Sequence, residues 1–125
     1  MKHVLIIGNG ISGITAARHI RKQSDFRITV VSEETKHFFS RTALMYIYMG
    51  HMGYEQTKPY EDDFWAENRI DLVHDRIERV DFNKRIAHTQ SGVPLAYDVL
   101  ILATGSKPNK FGWKGQDLPV FQGLY

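Results

Sequence analysis

A chain of 125 residues has room for about one domain with a real hydrophobic core, and too little for an enzyme that must bind two nucleotides. Its 16 Lys and Arg against 14 Asp and Glu give a formal net charge of +2 without runs of one sign, so nothing calls for nucleic acid or an anionic membrane, and the small basic excess suits an anionic cofactor. There is no cysteine, which excludes a disulfide framework, thiolate zinc sites and a cysteine redox relay within these residues.

The first element is Val4-Leu-Ile-Ile7, four branched apolar residues in a row, as in a strand buried on both faces of a parallel sheet. It runs directly into Gly8-Asn9-Gly10-Ile11-Ser12-Gly13 and then a helix in which Ile14, Ala17 and Ile20 share a face while Arg18, Arg21 and Lys22 are expected in water. Gly8 lets the chain turn out of the strand, Gly10 keeps side chains away from a ligand, and Gly13 lets the helix lie close to the strand. The free amides and positive dipole end of that helix then form a cradle for a pyrophosphate. A lone glycine triplet carries little weight, since glycines also collect in plain turns; its setting between strand and helix gives it meaning.

Arg27 to Ser32 reads as a second strand, ending in Glu33-Glu34. Glu33 lies about twenty residues past the last glycine, where a carboxylate accepts hydrogen bonds from ribose hydroxyls; Glu34 is the lesser candidate for that role. The segment from Thr35 to Gly50 is rich in aromatic residues and methionine, with a short helix expected from Ser40 to Gly50. Met45, Tyr46 and Met49 are read as the core side of that helix, covering a sheet edge. Arg41, set among apolar residues, calls for an anion: a phosphate at the glycine turn is the preferred reading and a surface acid the alternative.

His51 to Lys58 reads as loop, Pro59 as the start of a short helix through Phe64, Trp65 and Asn68, and Ile70 to His74 as a strand. From Ile77 the pattern alternates: Ile77 to Phe82, a turn at Asn83-Lys84, Arg85 to Gln90, a turn at Ser91-Gly92, then Val93 to Leu95. This is an antiparallel meander with one wet face. Val99 to Leu102 is a further buried strand, closed by Ala103-Thr104-Gly105, small residues that allow close approach to a ligand at the carboxyl edge of the sheet. The fold class expected is therefore α/β, a Rossmann-like parallel sheet with an inserted antiparallel β-meander.

None of the six histidines stands at i, i+4 with another on one helix face, so a metal site is not expected. No apolar run approaches the ~20 residues of a membrane span. The first strand opens at once, without a signal peptide, so a cytoplasmic location is expected.

Together, Val4 to Gly13, Ile28 to Glu34, Phe39-Ser-Arg41, the meander and Tyr97 to Gly105 resemble the N-terminal part of FAD-dependent pyridine nucleotide-disulfide oxidoreductases. The branch most similar holds the ferredoxin, rubredoxin and nitrite reductase flavoproteins and apoptosis-inducing factor. The resemblance implies that Gly8, Asn9, Gly10, Ile11, Ser12 and Gly13 hold the FAD pyrophosphate, that Glu33, with Glu34 beside it, binds the adenosine ribose, and that Arg41 lies near the cofactor. It further implies that a backbone group of Ile77 meets the adenine and that Ala103, Thr104 and Gly105 make a second FAD contact. Two features depart from the family: Tyr46 stands where related proteins often carry a lysine near the flavin, and the redox cysteines are missing.

On this resemblance residues 1–110 are the N-terminal portion of an FAD-binding domain, and 111–125 a linker toward an NAD(P)H-binding domain not present here. The expected parent passes hydride from NAD(P)H, its co-substrate, to FAD and electrons to an acceptor, protein or small molecule, that no motif identifies; the fragment alone is expected to turn over little. Two other readings stand beside it: a non-catalytic module that binds NAD or ADP-ribose, and a fragment of a flavin monooxygenase or amine oxidase.

Overall fold

The computed structural model describes residues 1–58, 60, 62–106, 112, 114–115 and 117–119. Its frame is a four-stranded parallel sheet in the order β3-β2-β1-β7, formed by β1 (His3–Ile7), β2 (Arg27–Ser32), β3 (Ile70–His74) and β7 (Val99–Leu102). Ile6 pairs with Val30 on one side and Ile101 on the other, so three apolar runs of the sequence lie side by side. The α/β class expected from the sequence is the class observed.

The pleat sorts the apolar residues onto two faces. Val4, Ile6, Ile28 and Val30 point to the face covered by α1 (Ile11–Gln23), which presents Ile14 and Ala17. Phe38 and Trp65 complete that core; Trp65 belongs to α3 (Phe64–Glu67) and meets Phe64 and Tyr60 edge-on at 5.1 and 5.5 Å between ring centres. Leu5 and Val31 point the other way, against Ala87 and Tyr97 of the segment that carries the second sheet. That sheet is the meander β4 (Ile77–Asp81), β5 (Ile86–Thr89) and β6 (Pro94–Ala96), antiparallel in the order written. Val80 and Leu95 pack inward while Glu78 and Arg79 face water, so the expected wet face is present.

The β4–β5 turn is closed by Asp81, whose carboxylate accepts from the amides of Asn83 at 3.1 Å and Lys84 at 3.0 Å. At the far end of the parallel sheet, His3 Nε2 and Thr29 Oγ1 are 2.8 Å apart, which satisfies a buried hydroxyl between neighbouring strands.

Four differences from the sequence reading are informative. Helix α2 (Leu44–Tyr48), preceded by a 3-10 turn at Arg41–Ala43, buries none of its residues: Tyr48 is 92% exposed, and Met45, Tyr46 and Met49 are about half exposed. Apolar composition suggested a core helix, but a helix of 5 residues is too short to lay a stripe across the sheet. Tyr54–Thr57 is a 3-10 turn where loop was expected, held by Gln56 Oε1 accepting from the Gly53 amide at 2.8 Å. Pro59, read as a helix start, lies outside the described residues, as does most of the expected linker 111–125; the helix begins at Phe64.

The fourth is Arg21, expected in water. Its guanidinium instead donates to four carbonyls, of Asn68 (2.8 Å), Ser24 (3.1 Å), Phe26 (2.8 Å) and Arg69 (2.9 Å). Only the fork of five N–H groups can serve so many acceptors at once. It ties the end of α1 to the turn between α3 and β3, where Arg69 has φ +55°.

Candidate functional site

The carboxyl edge of the parallel sheet gathers most of the residues singled out in the sequence. Gly8 leaves β1 at φ +112° and donates its amide to the carbonyl of Val31 at 2.8 Å. A Cβ on Gly8 would lie 2.0 Å from the Ala103 carbonyl oxygen, so the glycine turn and the Ala103-Thr104-Gly105 turn are in backbone contact. The Ala103 amide in turn donates to Ile7 O at 2.8 Å. Gly13 is equally constrained, because a Cβ there would sit 2.1 Å from Gly8 O; its absence seats α1 directly on the turn.

Gly10 is the opposite case: a Cβ there would meet no atom within 4 Å. It is the N-cap of α1, with no side-chain cap and no acidic residue in the first turn. The Ile14 amide makes the first intrahelical bond, to Gly10 O at 3.0 Å, so the amides of Ile11, Ser12 and Gly13 have no acceptor within the helix. Ile11 and Ser12 are exposed. Bare amides, a positive dipole end and an open approach together form a seat for a diphosphate. Asn9 is buried and fixes the turn from behind, donating to Thr35 O at 2.7 Å.

Glu33 follows β2 with its carboxylate exposed, 3.5 Å from Arg76 Nε. The ring of His74, the last residue of β3, donates from Nε2 to the Glu33 carbonyl at 3.1 Å. Beside it opens a depression of roughly 360 Å³ lined by Glu33, His74, Asp75, Arg76 and Gln90. Ile77, the first residue of β4, packs its side chain into the core between the meander and the parallel sheet. Glu34 points elsewhere and pairs with Arg41, whose guanidinium also lies 5.6 Å from the centre of the Phe39 ring. Arg41 therefore has a carboxylate partner on the same surface. Thr104 and Gly105 are exposed at the end of the second turn, Gly105 with φ +75°.

The sequence did not single out His74, Asp75, Arg76 or Gln90. His74 carried a usable signal, as the last residue of a parallel strand stands at the edge where ligands gather. Gln90 and Asp75 carried none, because their nearness to Glu33 depends on the meander folding back over the sheet. A hydrogen bond from the Ser91 hydroxyl holds the Asp75 carboxyl below the usual carboxylate range. Among the described residues no group of three or more histidines and acids is arranged to hold a metal ion, and no helix is long and apolar enough to cross a membrane.

Strand, glycine turn and helix tip, with an acid at the neighbouring strand end, define a dinucleotide-binding Rossmann-like unit. Residues 2–124 match the family described as pyridine nucleotide-disulphide oxidoreductase, and the chain belongs to that family. Among curated proteins it is 32% identical over 117 residues to the ferredoxin–NAD(+) reductase component of the biphenyl dioxygenase system of Paraburkholderia xenovorans, covering 92% of this chain and 29% of that protein. It is 33% identical over 116 residues to the nitrite reductase (NADH) large subunit of Escherichia coli, covering 90% and 14%. Among solved structures, a ferredoxin reductase from Rhodopseudomonas palustris superposes with a TM-score of 0.86 at 26% identity, over 95% of this chain and 30% of that one. The sulfide:quinone oxidoreductase of Aquifex aeolicus does so with 0.83 at 31%, over 94% and 27%. The chain spans less than a third of the length of these relatives.

Proposed function

We propose that this chain is the FAD-binding N-terminal portion of an NAD(P)H-dependent flavoprotein oxidoreductase. The observation that carries the reading is the meeting of the two motifs at the tip of α1: Gly8 against Ala103, Gly13 against Gly8, and Gly10 left open. This cradle fits the diphosphate of a dinucleotide, since a Cβ at Gly10 would take the ligand's space and nothing of the protein's own. In this reading the free amides of Ile11, Ser12 and Gly13 meet the pyrophosphate, Gly8, Asn9 and Gly10 shape the turn that presents them, and Glu33 accepts from the ribose. The backbone at Ile77 borders the adenine, Ala103, Thr104 and Gly105 form the second wall, and the Glu34–Arg41 pair closes the near side.

FAD, when bound, supplies the redox chemistry, accepting hydride from NAD(P)H and passing electrons on. The residues of this chain bind and orient it. Residues 1–110 are the binding portion and 111–125 a connection to a nicotinamide-binding part. The relatives' names point to ferredoxin-type proteins as one class of acceptor, and nitrite and quinone enzymes match at similar identity. We therefore assign the choice of acceptor to the more than two thirds of those proteins that this chain does not span.

The test is titration of the purified chain with FAD, FMN and NAD, followed by flavin fluorescence and calorimetry. FAD is expected to bind more tightly than FMN, which lacks the adenosine diphosphate half, and more tightly than NAD. A preference for NAD would replace this reading with a nucleotide-sensing module.

A further inference from the structure

Resting on the nucleotide reading above, we propose that Arg76 is a positioning residue for Glu33, and that the β5–β6 turn at Gln90-Ser91 sets Arg76 in place, making the meander part of the nucleotide site. The chain of contacts is continuous. Thr89 Oγ1 and Ser91 Oγ are 3.1 Å apart, the Ser91 hydroxyl donates to Asp75, and the other Asp75 oxygen accepts from the Arg76 amide at 2.7 Å. From the other side the Gln90 amide donates to the Arg76 carbonyl at 2.8 Å. The Asp75 amide donates to Ser32 O at 3.0 Å, so the connection between β3 and β4 is pinned to the end of β2 as well. Arg76 is thus fixed at both ends of its peptide unit, with Nε 3.5 Å from the Glu33 carboxylate.

The physical need is clear from exposure. Glu33 is two-thirds exposed, and a free glutamate at a strand end samples several rotamers, so gripping a ribose would cost it that freedom at the moment of binding. Arg76 on one side, and His74 holding the Glu33 carbonyl on the other, restrict the carboxylate in advance. Arg76 and His74 also line the depression beside Glu33, with Asp75 and Gln90, so groups that restrain Glu33 wall the space a nucleoside would enter.

The experiment compares binding of ADP and 2′-deoxy-ADP to the full chain and to Arg76→Gln, Ser91→Ala and Ser91→Thr, with circular dichroism to check the fold. Arg76 and Ser91 are exposed, so the variants leave the core untouched. The wild-type chain is expected to prefer ADP by about ten-fold, for one ribose hydroxyl bond to a carboxylate. Arg76→Gln and Ser91→Ala should lower that ratio by about three-fold, and Ser91→Thr should restore it. A purely structural role would weaken both ligands alike and leave the ratio intact, and that result overturns this proposal while the nucleotide reading stands. Equal binding of the two ligands by the wild-type chain removes the Glu33 grip, and this proposal with it; no binding of ADP at all removes the nucleotide reading itself.

Discussion

The carbonyl oxygen of Ala103 stands 2.0 Å from the place a Cβ on Gly8 would occupy, so two turns separated by most of the chain share one backbone contact. Gly8 also has φ +112°, a conformation that side chains rarely adopt. Gly8→Ala is therefore expected to lose about 3 kcal/mol of stability, from backbone strain together with the forced separation of β1 and β7. Gly10→Ala meets open space at φ −71° and should unfold at the wild-type denaturant midpoint, while losing FAD affinity. Urea unfolding and FAD titration of the two variants side by side check both halves; equal loss of stability would remove the distinction between a glycine needed by the fold and one needed by the ligand.

Arg21 supplies a second test, this time of the frame. Truncation to Ala withdraws the guanidinium from the carbonyls of Ser24, Phe26, Asn68 and Arg69. Some of these oxygens regain water, so the expected loss is about 2 kcal/mol rather than the sum of four charged hydrogen bonds. Arg21→Lys should recover only part, because one ammonium cannot reach all four. Denaturant midpoints at unchanged slope would measure it, and a variant within about 0.5 kcal/mol of wild type would make Arg21 an ordinary surface residue.

The legibility of the fold follows from what local pattern encodes. β2, β3 and β7 lie where the sequence reading put them, because strands of a parallel sheet are written as largely apolar runs bounded by turn residues. β7, however, was read as buried and is not, since it stands at the edge of the sheet with Val99 41% and Leu102 61% exposed. The meander was equally visible through its alternation and its Asn83-Lys84 and Ser91-Gly92 turns. Arg21 was not, since its partners come from elements far along the chain, and a basic residue on a helix looks the same whether it meets water or carbonyls. The glycine cradle and Glu33 were legible as motifs; the wall made by Asp75, Arg76 and Gln90 was not, being a product of tertiary folding.

The segment from Met45 to Met49 gives the third prediction. Composition read these residues as core, but Tyr48 is 92% exposed and Met45, Tyr46 and Met49 make no buried cluster. In the 125-residue chain, Tyr48→Ser and Met49→Gln should each change stability by less than about 0.5 kcal/mol. By contrast Trp65→Ala, on a residue 2% exposed, should cost about 4 kcal/mol. Thermal melts of the three variants decide whether α2 is carried by the fold or contributes to it.

His3 gives the fourth, on pH. Burial lowers its pKa from the ordinary 6.5, and the Arg27 guanidinium adds to the effect, against the opposing pull of a hydrogen bond from the ring to the Ala96 backbone and of the acids Asp71 and Asp98. The folded state therefore binds the imidazole proton less readily than the unfolded chain. Where the unfolded chain holds more protons, stability rises with pH. The contribution of neutral His3 is thus present above about pH 6.5 and is lost as pH falls from there through the lowered folded value. Thr29 reinforces the direction: with one His3 nitrogen 2.8 Å from its hydroxyl, the neutral ring accepts or donates there, whereas an imidazolium can only donate. Melting temperatures of the wild type between pH 5 and 7.5 should fall toward acid, and His3→Gln, which keeps a polar partner for Thr29 without a titrating proton, should flatten part of that slope. An identical slope in the variant would assign the acid sensitivity to other groups.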